Sequence, residues 1–112
     1  MSFDGAWKVE MLGPYGWETV STAFLENGRM LGASADHYSI GRYEEDGDTI
    51  KVSSRLTQHG RSRTIFGAPR EVVDVRLEGT ANSAGEIVGK AYPSEGGSFD
   101  LNLRLIRLGD LD

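Results

Sequence analysis

The sequence predicts an all-β domain: eight antiparallel strands in sequential order, closing as an up-and-down (meander) barrel with at most one short helix. Three observations predict it. Apolar and polar residues alternate with a period of two along most of the chain, as they do when successive side chains point to opposite faces of a sheet. Turn residues recur between these runs, and the connections they mark are short, so neighbours in sequence become antiparallel neighbours in space.

The strands fall at roughly 5–12, 17–26, 29–34, 37–46, 49–58, 70–79, 86–93 and 98–107, within a single domain spanning 1–112. Asp4-Gly5-Ala6-Trp7 opens the first strand and Gly13-Pro14-Tyr15-Gly16 turns it into the second. Asn27-Gly28 and Asp46-Gly47 are the strongest hairpin signals, because a type I′ turn needs two residues that tolerate positive φ. In the fifth strand Ile50, Val52, Ser54 and Leu56 alternate with Lys51, Ser53, Arg55 and Thr57. One long connection follows, from about His59 to Pro69. It holds Arg61, Arg63, Ile65 and Phe66, with Arg70 just beyond, and is expected to cover a barrel mouth or carry a helical turn. Val73, Val75 and Leu77 mark the sixth strand, Asn82-Ser83-Ala84-Gly85 the next turn, and Ser94-Glu95-Gly96-Gly97 the last hairpin before Phe99, Leu101, Leu103 and Leu105. Closure removes exposed sheet edges. Gly32, Gly41 and Gly89 inside strands fit a strongly bent sheet. The expected core is Trp7, Val9, Val20, Phe24, Ile40, Ile50, Val52, Leu56, Val73, Val75, Leu77, Ile87, Phe99, Leu101, Leu103 and Leu105.

Composition narrows the function classes. The chain has 112 residues and no cysteine, which excludes a disulfide framework, a cysteine nucleophile and thiolate metal sites. A net charge of −5 disfavours direct nucleic-acid binding, which depends on basic patches. No apolar run approaches the ~18 residues of a membrane span. The N-terminus lacks a basic segment followed by an apolar one, so the expectation is a cytoplasmic protein.

Four groups of residues are candidates for chemistry. Glu44, Glu45, Asp46 and Asp48 put four carboxylates in five residues. They fit a solvated hairpin tip, a contact for a basic protein partner or, without the spacing of an EF-hand, a divalent cation. His37 and His59, with Asp36, make a metal site only if the fold unites them. The aromatic residues, with Trp7, Phe24 and Phe99 foremost, either pack a core or line a cavity for a small apolar ligand. Tyr15 and Trp17 beside a turn are candidates for a rim contact, and Arg61, Arg63 and Arg70 for an anion or for pairing with the acidic hairpin. No serine has a nucleophile context, and Glu71 and Glu78 lie on opposite faces of one strand, so no catalytic set emerges. The expectation is a non-enzymatic protein without cofactor or metal.

The order of these signals resembles the GrlR-like family, small negative regulators associated with type III secretion gene expression. The resemblance rests on Asp4-Gly5-Ala6-Trp7, on the hairpin Phe24-Leu25-Glu26-Asn27-Gly28-Arg29-Met30-Leu31-Gly32, on Tyr38-Ser39-Ile40-Gly41-Arg42-Tyr43, and on the acidic turn Glu44-Glu45-Asp46-Gly47-Asp48. It covers the first half of the chain well and the second half by strand pattern. It implies a lipocalin-like (calycin) eight-stranded barrel, and regulation through protein contact at an acidic surface motif, here Glu44, Glu45, Asp46 and Asp48, interrupted by Gly47. The leading expectation is therefore a regulator that binds a protein partner such as a basic transcription activator. The alternative is a barrel that binds an apolar small molecule. The resemblance and the Tyr15–Trp17 rim both point towards a homodimer.

Overall fold

In a computed structural model of the chain, residues 3–59, 72–94 and 101–111 are described. They form strands β1 (Gly5–Gly13), β2 (Gly16–Glu26), β3 (Arg29–Ala33), β4 (His37–Asp46), β5 (Thr49–Gln58), β6 (Val72–Ala81), β7 (Ile87–Pro93) and β8 (Leu101–Gly109). Each strand pairs antiparallel with the next, and β8 returns to β1, so the sheet closes as a meander barrel. No helix occurs among the described residues. Phe99, the arginines 61, 63 and 70, and the connection after His59 lie outside the described residues.

The tight turns follow from local chemistry. Asn27 and Gly28 both take positive φ, 51° and 79°, as the type I′ pattern between Glu26 and Arg29 requires. The acidic hairpin turns one residue later than Asp46-Gly47 suggests. Asp46 pairs with Thr49, the loop is Gly47-Asp48, and Gly47 alone has positive φ, the pattern of a type II′ turn.

Alternation decides which face enters the barrel. Trp7 and Val9 of β1 face Ala23 and Ser21 of β2, and Ala23 continues to Gly32 of β3 and Ser39 of β4. Phe24, Leu31 and Ile40 form a cross-strand row of the opposite parity. They are 42%, 49% and 53% exposed, on the outer surface. The expected burial of Phe24 and Ile40 is thus corrected. In β2 and β3 both faces are apolar, with Phe24 beside Leu25 and Met30 beside Leu31, so alternation alone does not choose between them. Gly41 helps to choose. A Cβ there would collide with the Ser53 carbonyl and lie 2.6 Å from the Ser54 Cα, so Gly41 marks a sharp fold of the wall. Residues sharing its parity, Tyr43 and His37, are buried, and Ile40 is left outside.

One end of the barrel is solid. Phe3, Trp7, Leu25, Tyr43, Ile50 and Ile87 are buried there. The segment Phe3–Gly5 crosses beneath them with its polar groups paired. The Phe3 amide donates to Glu45 Oε1 (2.6 Å), the Trp7 indole N–H to the Phe3 carbonyl (3.0 Å), and the Tyr43 hydroxyl to Asp4 Oδ1 (2.6 Å). Arg107 lies over the Trp7 ring at 4.5 Å and donates to the Asp4 carbonyl (2.7 Å). The exterior is charged, with cross-strand rows such as Lys51–Glu78–Lys90 and Arg55–Asp74. No helix among the described residues is long and apolar enough to cross a membrane.

Candidate functional site: an aliphatic cavity inside the barrel

Above the solid end the barrel is hollow. A cavity of about 700 Å³ runs from the Leu25–Met30 level to the turns at Gly13-Pro14 and Ser34–Asp36. Its cause is side-chain size. Inward positions on the β2–β5 side carry Ser21, Ala23, Gly32, Ser39 and Ser54, too small to reach the facing wall. The facing wall is aliphatic, with Val75, Leu77, Leu101, Leu103 and Leu105. An opening of this size is within the range of sites for drug-sized ligands.

The sequence-predicted cavity residues fare unevenly. Trp7 is inside the barrel but forms part of the solid end and does not line the cavity. Phe24 lies on the outer face and is corrected as a cavity residue. Phe99 lies outside the described residues. No described aromatic side chain lines the cavity; its surface is aliphatic with a minority of hydroxyls. Sequence reasoning set Ser54 on one face with Ile50, Val52 and Leu56 but gave it no role, and did not place Ser21 or Ser39 inside the barrel. The signal was present in the parity that Ser39 and Gly41 share with Tyr43, and that Ser54 shares with Ile50, Val52 and Leu56.

The acidic hairpin sits at the solid end, away from the cavity. Glu44, Asp46 and Asp48 are exposed. Glu45 is engaged within the chain, holding the Phe3 amide. Tyr43 beside it is buried, and its phenol is pushed up to about 12 by burial first and by its hydrogen bond to Asp4 second. The histidines are not united. His37 points inward at the cavity rim, whereas His59 is exposed and rests against Tyr38 with ring centroids 6.0 Å apart. Among the described residues no three His, Asp or Glu side chains are grouped as metal ligands.

Tyr15 is almost fully exposed at the β1–β2 turn, and Trp17 lies beneath Arg104, whose guanidinium is 4.3 Å from the ring. Arg104 also grips Glu10 Oε1 at 2.7 and 2.9 Å, and Lys8 adds a longer contact at 3.7 Å. Glu10 is buried on the outer wall yet fully compensated, which makes it a structural pairing between β1 and β8.

Compared with known proteins, the chain matches no family model and no curated protein.

Proposed function

We propose that this protein binds an apolar small molecule inside its barrel. The observation that carries the reading is the cavity of about 700 Å³ with a mainly aliphatic surface, closed below by Trp7, Tyr43 and Ile50. A concave, mainly aliphatic pocket of this size, open at one end, exposes hydrocarbon that a small apolar molecule would cover, which is how sites for such ligands are built. The supporting test is titration with an uncharged environment-sensitive dye such as Nile red. Saturable binding with one equivalent, competed by unlabelled apolar molecules, supports the reading. Absence of saturable binding overturns it.

A second reading is a regulator acting through protein contact, as resemblance to the GrlR-like family implies. It is favoured by the exposed carboxylates Glu44, Asp46 and Asp48 at the end of the barrel opposite the cavity rim. Exposed like charges contribute little to folding and act mainly by steering a basic partner, so such binding weakens with salt. Its test is capture from the native host at two ionic strengths, with wild type and a Glu44→Ala/Asp48→Ala variant.

A further inference from the structure

We propose, resting on the reading of the cavity as a ligand site, that its ligand is an uncharged amphiphile. Its hydroxyl or carbonyl would hydrogen-bond to the Ser39 and Ser54 hydroxyls of the β4–β5 wall. The two serines are diagonal neighbours on the inner face: Ser39 stands opposite Leu56, two residues from Ser54. The Ser39 hydroxyl touches only Met30 Sδ, at 3.8 Å, a weak acceptor. The Ser54 hydroxyl makes no hydrogen bond among the described residues. The Ser54 oxygen is not among buried atoms lacking a partner, so it is accessible, and Ser39 and Ser54 both line the cavity.

Gly32 stands opposite Ser39, and a Cβ there would lie 2.5 Å from Ser39 Oγ, so the absence of a side chain at Gly32 is what lets the Ser39 hydroxyl keep its place on the wall.

The charge of the described lining residues favours a neutral group. No lysine or arginine is among the described cavity-lining residues. The ionisable groups there are Asp36 and His37, both at the rim next to the β3–β4 turn. A carboxylate or phosphate carried down to Ser39 and Ser54 would lose its hydration without meeting a lysine or arginine among the described lining residues, a costly burial. A pure hydrocarbon would leave the serine hydroxyls dry and unpaired. A neutral hydroxyl or carbonyl avoids both costs, and the Val75–Leu77–Leu103 wall receives the hydrocarbon part.

The test is displacement of Nile red by 1-decanol and by decanoate, on wild type and on a Ser39→Ala/Ser54→Ala variant whose melting curve shows it folded. The single variants are measured in parallel in case the double variant is unstable. The expected result is decanol binding at least about tenfold tighter than decanoate to wild type, with about a tenfold loss for decanol in the double variant. Dye binding with decanoate equal to or better than decanol overturns this inference and leaves the ligand reading standing. So does decanol affinity that is unchanged in the variants. If the dye itself does not bind, the ligand reading fails and this inference fails with it.

Discussion

Replacing Tyr43 by Phe removes one oxygen from the solid end of the barrel and should expose how that end is held. In the native state the Tyr43 hydroxyl donates to Asp4 Oδ1 at 2.6 Å, and the residue is buried. A hydrogen bond to a charged group contributes about 1.5–3 kcal/mol. The phenol's raised pKa sets the pH dependence, while the magnitude at pH 7 comes from the hydrogen bond. The pKa rises from 10.0 to about 12, first through burial and then through the Asp4 bond. Each unit corresponds to about 1.36 kcal/mol, so the native state favours the protonated phenol by about 2–3 kcal/mol. The sign follows from the raised folded value. The stabilisation is fully present below pH 10 and is lost as pH climbs from about 10 through 12. Tyr43→Phe should therefore melt about 6–12 °C below wild type at pH 7, at roughly 4 °C per kcal/mol. The gap should narrow steadily above pH 10, because wild type loses what the variant never had. The assay is a pair of melting curves by far-ultraviolet circular dichroism at pH 7, 9, 10.5 and 11.5. A gap that is small at pH 7, or that stays constant to pH 11.5, would refute the reasoning.

The remaining perturbations address the acidic tip, the bent wall and the cavity. Glu45→Ala should cost about 1–2 kcal/mol by freeing the Phe3 amide, whereas Glu44→Ala/Asp48→Ala should change stability by less than about 0.5 kcal/mol, both measured by urea unfolding. Gly41→Ala should cost at least about 2 kcal/mol, since its Cβ meets the Ser53–Ser54 backbone; Gly109→Ala, where nothing lies within 4 Å, should be nearly neutral in the same assay. Ser54→Phe should fill part of the void, staying within about 1.5 kcal/mol of wild type while abolishing saturable dye binding; retained binding would place the dye elsewhere.

Much of the barrel is legible in the chain because strand alternation and turn chemistry agree. Asn27-Gly28 sets the β2–β3 register, and Ile50, Val52 and Leu56 announce the inner face of β5. Legibility fails where both parities are apolar. Phe24-Leu25 and Met30-Leu31 offer two equivalent inner faces, and only closure against Trp7 and the close approach at Gly41 decides between them. The cavity is hidden for a related reason. A void arises from what is missing at Ser21, Ala23, Gly32, Ser39 and Ser54, spread over four strands. No local window shows that these positions share one interior. The role of Glu45 is equally non-local, since its partner Phe3 is 42 residues away in sequence.

The most direct measurement of the central claim is a methyl NMR titration with 1-decanol, using ¹³C-labelled methionine and leucine. Met11, Met30, Leu77 and Leu103 line the interior, while Leu12, Leu31 and Leu108 are substantially exposed and serve as exterior reporters. Leu12 also borders the cavity rim, so Leu31 and Leu108 are the stricter controls. Binding in the barrel predicts saturable shifts of the interior methyls with Leu31 and Leu108 unmoved. Shifts confined to Leu31 and its outer-face neighbours, or no saturable shift of the interior methyls, would contradict it.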